Sequence, residues 1–159
     1  MNIILIQETN WIDRNVIQTH HLMERMVKRG HAVTVIDYDV LWPSREDRSI
    51  IKEKEIFENV NRVIPGSNLT IIRPRTVQIP LFCYLSWAIN SAKALREFIH
   101  ANEIDLILCA TLTNSLPLSK IAHHNKIPFV YLIFEPYHAM VPQKYIRRFA
   151  QCFAYPFLL

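Results

Sequence analysis

Apolar and polar residues alternate in blocks over the first forty positions, in an order that predicts a strand, a loop, a helix and a second strand. The first apolar run is Ile3 to Ile6, and the polar stretch Gln7 to Arg14 follows it. Four residues with helical spacing come next: Val16, His20, Met23 and Val27. Gly30 and a second apolar run, Ala32 to Ile36, complete the unit. This order is typical of a βαβ unit within a parallel sheet.

The first helix is predicted to begin near Asn15, with Gln18 three residues on in capping-box spacing. Its apolar stripe should pack on the sheet and its charged residues should face water: Glu24, Arg25 and Lys28. Gly30 supplies the left-handed residue that ends such a helix.

The middle of the chain is less regular. Trp42 to Ser44 resembles a loop, and Arg45 to Lys54 is a dense mixture of charges. Ile56 to Val63 and Leu69 to Ile72 are predicted to form two strands, which a Pro65–Gly66 turn joins.

Regular patterns return after Pro80. Seven apolar residues recur with helical spacing up to about Asn102: Leu85, Ala88, Ile89, Ala92, Leu95, Phe98 and Ile99. A buried strand is predicted at Ile104 to Cys109, a helix at Leu116 to Asn125 and a strand at Phe129 to Phe134, with a further helix from Pro142. The predicted fold class is therefore α/β: one Rossmann-like domain, residues 1–159, with a parallel sheet and helices on both faces.

Composition narrows the function classes. The chain has 159 residues and only two glycines, Gly30 and Gly66, so it lacks the glycine-rich loops that bind dinucleotides or nucleoside triphosphates. We predict no cofactor. The net charge of +4 is modest, and no recognition motif for nucleic acid accompanies it.

Cys109 lies in an apolar run and is interpreted as a small core residue. No uninterrupted apolar segment reaches the ~20 residues that cross a bilayer.

Three segments resemble family 4 glycosyltransferases, which have the two-domain GT-B fold. Lys28 to Val35 (KRGHAVTV) is similar to the family's "RGHxVxV" signature, Glu103 to Ile107 to its "PDxI" strand, and Lys126 to Val130 to its "giPfV" strand. Each motif is weak alone, but their order and spacing together are moderately specific. The chain departs from the family after the first strand, where Glu8 to Trp11 replaces a frequent glycine pair.

The resemblance implies the N-terminal, acceptor-binding half of an enzyme that moves a sugar from a nucleotide sugar to a hydroxyl acceptor, lipid-linked acceptors included. The family holds its donor mainly in a C-terminal domain with a glutamate pair, and this sequence ends before such a domain could begin. We therefore expect the chain to be truncated relative to the family and inactive alone. A donor-binding domain, or a separate subunit carrying one, is the predicted partner that binds the nucleotide sugar.

Candidate binding residues follow the predicted strands. Exit loops of parallel strands meet at one edge of the sheet, where ligands of such sheets bind. The candidates for acceptor binding are Glu8, Thr9, Asn10, Thr111, Asn114, Glu135 and His138. Each has an alternative interpretation as an ordinary loop or helix-cap residue. The catalytic residues stay unknown at this stage.

The histidine pairs His20–His21 and His123–His124 do not predict a metal site. Adjacent residues on a helix point about 100° apart, so neither pair can chelate one ion from one face. We expect one histidine of each pair to pack inward and the other to meet water.

The C-terminal stretch leaves a second function open. Lys144, Arg147 and Arg148 stand among aromatic residues, as on a helix that binds a membrane surface, although a missing C-terminal domain would cover the same face. The alternative is therefore a non-catalytic recruiting subunit of a split glycosyltransferase at a membrane. The predicted location is cytoplasmic, with peripheral contact at the inner face of the membrane left open.

Overall fold

The computed structural model describes residues 1–38, 49–79, 82–111 and 114–134. The helices in these ranges are α1 (Gln18–Lys28), α2 (Phe82–Ala101) and α3 (Ser115–His124). The strands are β1 (Asn2–Gln7), β2 (Ala32–Ile36), β3 (Ile51–Lys52), β4 (Glu55–Val60), β5 (Leu69–Arg73), β6 (Thr76–Val77), β7 (Leu106–Ala110) and β8 (Phe129–Tyr131). The predicted loop at Trp42, the charged stretch up to position 48 and the helix from Pro142 lie outside the described residues.

Six strands form the main sheet, in the order β4-β5-β2-β1-β7-β8. Four of the five neighbouring pairs are parallel, which confirms the predicted α/β, Rossmann-like architecture. The remaining pair, β4 and β5, is antiparallel. The short connection between them, residues 61–68, explains this, because parallel neighbours need a crossover of a dozen or more residues. Gly66 lies in that connection with φ +74°.

Helices cover both faces of the sheet, as predicted. Ile3 and Leu5 of β1 pack with Met23 of α1 on one face. Ile4 and Ile6 face the other way and pack with side chains of α2 and α3: Trp87, Leu95 and Leu118. Because successive residues of a strand point to opposite faces, a strand covered on both sides must be apolar throughout. This is why the first apolar run is continuous.

The prediction for α1 was wrong in three respects. The helix begins at Gln18, after Ile17, rather than near Asn15. Val16 is 39% exposed and does not belong to the packed stripe. Glu24, predicted to face water, is fully buried because backbone and side-chain donors of the β4–β5 connection surround it. Gly30 ends the helix as predicted, with φ +86°.

The buried face of α2 also differs from the predicted stripe. Ala92 and Leu95 are buried, but Leu85 and Ile89 are 58% and 59% exposed. Trp87 is fully buried instead, and its indole N–H donates to the Asp37 carbonyl oxygen at 3.2 Å. The largest side chain therefore sets which face of α2 meets the sheet.

The remaining elements are shifted by a few residues from their predicted positions. The strand predicted at Ile104 to Cys109 is β7, and that predicted at Phe129 to Phe134 is the shorter β8. The helix predicted at Leu116 to Asn125 is α3, which begins one residue earlier.

Candidate functional site

The carboxyl ends of β1 and β7 bring two of the predicted site residues together. Gln7 pairs with Ala110 in the parallel register of these strands, so the residues that follow them are neighbours. The Thr111 hydroxyl donates a hydrogen bond to Glu8 Oε1. Thr111 is buried, whereas Glu8 is half-buried and reaches the surface of the edge. A carboxylate at this position can accept hydrogen bonds from a hydroxyl ligand.

Asn10 holds the loop after β1 in shape. Its side-chain oxygen accepts the backbone N–H groups of Ile12 and Asp13, both at 2.9 Å, which is an Asx turn. Its amide nitrogen donates to Asp13 Oδ2 at 2.9 Å. Asn10 is 4% exposed, and these bonds of its side chain fix the positions of the loop residues beside it. Thr9 lies beside it, half-buried, with its carbonyl oxygen bonded by the Gln7 amide at 3.0 Å.

Asn114 contacts α2. It stands just before α3 and is fully buried, and its amide nitrogen donates to the Ser91 hydroxyl on α2. Its side chain makes no capping bond, and none of the described residues forms a hydrogen bond with its Oδ1. Asn114 therefore joins α3 to α2, and the capping interpretation of its side chain does not hold. Glu135 and His138 lie outside the described residues.

A buried ion pair at the same edge was not predicted. Asp37 follows β2 and Arg73 ends β5, and both are buried. The Arg73 guanidinium donates to both Asp37 oxygens, from Nε at 3.1 Å and from Nη2 at 2.9 Å, and also to Asn10 Oδ1 at 3.0 Å. The Trp11 backbone N–H donates to Asp37 Oδ2 at 2.9 Å. The network joins the exits of three strands into one rigid edge.

A second network ties the exit loop of β1 to the β4–β5 connection. The Arg62 guanidinium donates to the carbonyl oxygens of Trp11 at 2.7 Å, of Arg14 at 3.1 Å and of Ile12. Behind it, the Glu24 carboxylate accepts N–H groups from Arg62, Val63 and Ile64 at 2.6 to 2.9 Å and the Ser67 hydroxyl at 2.8 Å. The loop from Glu8 to Arg14 is thus attached to the β4–β5 connection by these hydrogen bonds.

Two titratable groups support this loop. Burial raises the pKa of Glu24, but the backbone N–H donors outweigh it, so the pKa of this carboxyl is lower than usual. Burial lowers the pKa of His20 below its ordinary value. His20 Nδ1 accepts the Ile17 N–H at 3.2 Å, which leaves Nε2–H to donate to the Trp11 carbonyl at 3.0 Å, so the imidazole is neutral in one tautomer.

A cavity of about 460 Å³ opens beside the ion pair. Its charged lining residues are Asp13, Lys52, Glu53, Glu55 and Arg73, and Phe57 of β4 also lines it. Its volume lies within the range of small-molecule sites, roughly 300 to 1,000 Å³. The carboxylates and cations that line such a cavity can bond the hydroxyl groups of a polar ligand.

The histidine pairs behave differently from one another. His20 is buried and stacks on Trp11, with ring centroids 4.0 Å apart, while His21 is exposed, as predicted. His123 and His124 are both exposed, so the prediction was wrong for that pair. Both lie in the last turn of α3, where the short helix turns both side chains away from the sheet. In the described ranges no group of three or more His, Cys, Asp or Glu residues is placed to hold a metal ion.

Only some of the charged residues at this edge could have been predicted from the sequence. Asp37 and Arg73 directly end two apolar runs, a place where a buried charge would need a partner. Glu24 and Arg62 gave no such signal, because their partners are mostly backbone groups distant in the chain.

In the part of the chain that the structure describes, no helix has the length and apolar character to cross a membrane.

The fold and this edge define the class of protein: a Rossmann-like α/β domain with a polar site at the carboxyl ends of its parallel strands. The model of Glycosyltransferase Family 4 matches residues 16–157. The chain belongs to this family, which confirms the resemblance found in the sequence. No curated protein matches the chain.

Two solved structures are similar to the chain. One is the crystal structure of a UGT transferase from Siraitia grosvenorii in complex with UDP, with 10% identity and a TM-score of 0.49; the match covers 83% of this chain and 27% of that one. The other is the glycotransferase of kitacinnamycin, with 16% identity and a TM-score of 0.46; the match covers 82% and 30%. The chain thus spans less than a third of the length of each.

Proposed function

We propose that this chain is the N-terminal, acceptor-binding domain of a glycosyltransferase that moves a sugar from a nucleotide sugar to a hydroxyl acceptor. Membership of the family supports the reaction class. The contact between Glu8 and Thr111 at the carboxyl edge is the observation that carries the assignment. Acceptors within the proposal include lipid-linked sugars.

The construction of the edge supports an acceptor role for it. Glu8 and Thr9 are half-buried at the surface. The next residue, Asn10, is hydrogen-bonded to Ile12 and Arg73, and these bonds fix the conformation of the loop. A loop fixed in advance loses little conformational freedom when a ligand binds. Carboxylate and hydroxyl groups provide the directed hydrogen bonds that a sugar needs.

The 159 residues by themselves are expected to bind acceptors and to transfer no sugar, because the family holds its donor mainly in a second domain. Calorimetry with a panel of sugar acceptors, and a transfer assay with UDP- and GDP-sugars, test the two halves of the proposal. Turnover by the chain alone, or tight nucleotide-sugar binding without any acceptor binding, would refute it.

Glu8→Gln tests the site itself. The substitution keeps the shape of the side chain but removes its charge, and it should weaken acceptor binding by about tenfold, the value of one charge-assisted hydrogen bond. Glu103→Gln is the matched control, since Glu103 is exposed and precedes β7, at the opposite edge of the sheet. An equal loss in both variants would remove Glu8 from the site.

A second candidate is the recruiting subunit of a split glycosyltransferase at a membrane surface. An apolar groove of about 310 Å³ on α2 favours it, since Phe82, Leu85 and Ile89 line it and are 63%, 58% and 59% exposed. Sedimentation with anionic vesicles tests it. The double variant Leu85→Ser/Ile89→Ser should stay in the supernatant while the unaltered chain pellets. If the unaltered chain does not pellet, the candidate fails.

A further inference from the structure

A second groove lies between α2 and α3, with a volume of about 480 Å³. The residues that line it are Arg96, His100, Pro117, Lys120, Ile121, His124 and Asn125. His100 and His124 lie in the last turns of their helices, and β7 and β8 begin after those turns. The groove therefore opens at the amino-terminal edge of the sheet, away from the edge that carries Glu8 and Thr111.

The lining is basic on both walls. Arg96 and His100 are four residues apart on α2, and Lys120 and His124 are four residues apart on α3, so each pair shares one helix face. All four side chains are exposed. None of the described residues that line the groove is acidic, and α3 contains no acidic residue.

The acidic residue nearest in sequence points elsewhere. Glu97 on α2 pairs with Lys93 at 3.8 Å and with Lys54 at 3.4 Å. Within the described ranges, neither Arg96 nor Lys120 makes an ion pair. The charges of Arg96 and Lys120 thus have no counter-charge among the residues that the structure describes.

The helix dipole does not account for Arg96. A helix favours cations only within its last turn. Arg96 stands before the last turn of α2, beyond the short range of that effect. Arg96 and Lys120, one on each wall of the groove, can both contact an anion that binds between them.

We propose that this groove binds a ligand that carries at least two phosphate groups. Arg96 offers the planar, two-pronged donor set that matches phosphate oxygens, and Lys120 faces it as a point charge on the other wall. The imidazoles of His100 and His124 and the Asn125 amide supply further donors. The volume exceeds what one phosphate needs and suits a diphosphate or a larger polyphosphate compound. The same chemistry is found in soluble polyphosphates and in lipid headgroups that carry two phosphates.

Calorimetry of the full 159-residue chain with inorganic pyrophosphate and tripolyphosphate tests the proposal, at low salt so that screening is weak. Sedimentation with cardiolipin vesicles forms the second arm, because a cardiolipin headgroup carries two phosphates. The groove variant is Arg96→Gln/Lys120→Gln. The matched control is Arg25→Gln/Arg29→Gln, which removes the same charge from exposed positions on or beside α1, on the other face of the sheet.

The groove variant should lose about tenfold or more in affinity while the control changes by less than about twofold. Binding of the soluble phosphates assigns the site to a free ligand, and binding of vesicles alone assigns it to a lipid headgroup; both support phosphate recognition. No binding in either arm overturns the proposal. An equal loss in the control also overturns it, because the attraction would then be general charge.

Discussion

The Arg73 guanidinium donates to both carboxylate oxygens of Asp37, at 3.1 and 2.9 Å, so the carboxyl ends of β5 and β2 are joined by a buried ion pair. The Asp37 side chain is completely buried and that of Arg73 is 7% exposed. Such a pair contributes little net stability compared with apolar residues of the same volume, but it fixes geometry. Here it fixes the edge on which the proposed acceptor site is built.

Arg73→Leu should destabilise the chain by about 3 to 5 kcal/mol, because it leaves the Asp37 charge buried without its partner. Urea unfolding followed by circular dichroism measures the change. Arg75→Leu is the matched control: Arg75 is 54% exposed in a surface pair with Glu53, and its loss should cost less than about 1 kcal/mol. Similar costs for both variants would contradict the structural role of the buried pair.

Glu24→Gln should lower the free energy of unfolding by about 1.5 to 3 kcal/mol, since the amide presents a donor to the N–H groups of the β4–β5 connection. Glu97→Gln, at an exposed position of α2, should change it by less than about 0.5 kcal/mol. Chemical denaturation of the two variants checks the difference. Faster hydrogen exchange at Val63 and Ile64 in the Glu24 variant would show where the loss occurs. Unchanged exchange there would count against the proposed tether.

Stability should decrease as the pH falls through 6.5. The pKa of His20 is lowered from 6.5 by burial, so the unfolded chain takes up a proton that the folded chain does not. The unfolded state then binds more protons, and stability is lost toward acid, by at most about 1.4 kcal/mol per pH unit. His20→Gln should flatten this slope.

His21→Gln is the control for that measurement, because His21 is the exposed neighbour and its removal should leave the slope intact. Urea midpoints at about pH 7.5 and about pH 5.5 provide the comparison. A slope that survives in the His20 variant would mean that another group is responsible.

Cys109 should resist alkylation in the folded chain. Burial raises the pKa of its thiol to about 12, and only the thiolate reacts. Peptide mass spectrometry after iodoacetamide treatment at about pH 8 should find Cys109 unmodified in native protein and modified after unfolding in guanidinium. Rapid native labelling would show that the end of β7 opens more readily than its packing indicates.

The apolar runs were enough to predict much of the fold. Two runs, Ile3 to Ile6 and Ala32 to Ile36, are almost uninterrupted by polar residues, because a strand covered by helices on both faces has no side that meets water. Few structures other than a parallel sheet between helices produce such runs. Gly30 could be predicted as the end of α1 because the required positive φ favours glycine. Glu8 and Thr111 could be predicted to lie close together, because each follows one of two neighbouring parallel strands.

The sequence by itself therefore determined the order of the main strands and helices and the family, and it pointed to the sheet edge on which we propose that ligands bind, since these follow from local periodicity and chain order. Only the tertiary structure decided that Glu24 is buried, that Trp87 rather than Leu85 faces the core, and that Arg73 meets Asp37. The physical reason is that the partners of these residues are distant from them along the chain, so that local sequence patterns cannot identify them. A buried charge is tolerated only where donors converge on it, and those donors, such as the backbone of Val63 and Ile64, come from elements that folding alone brings near.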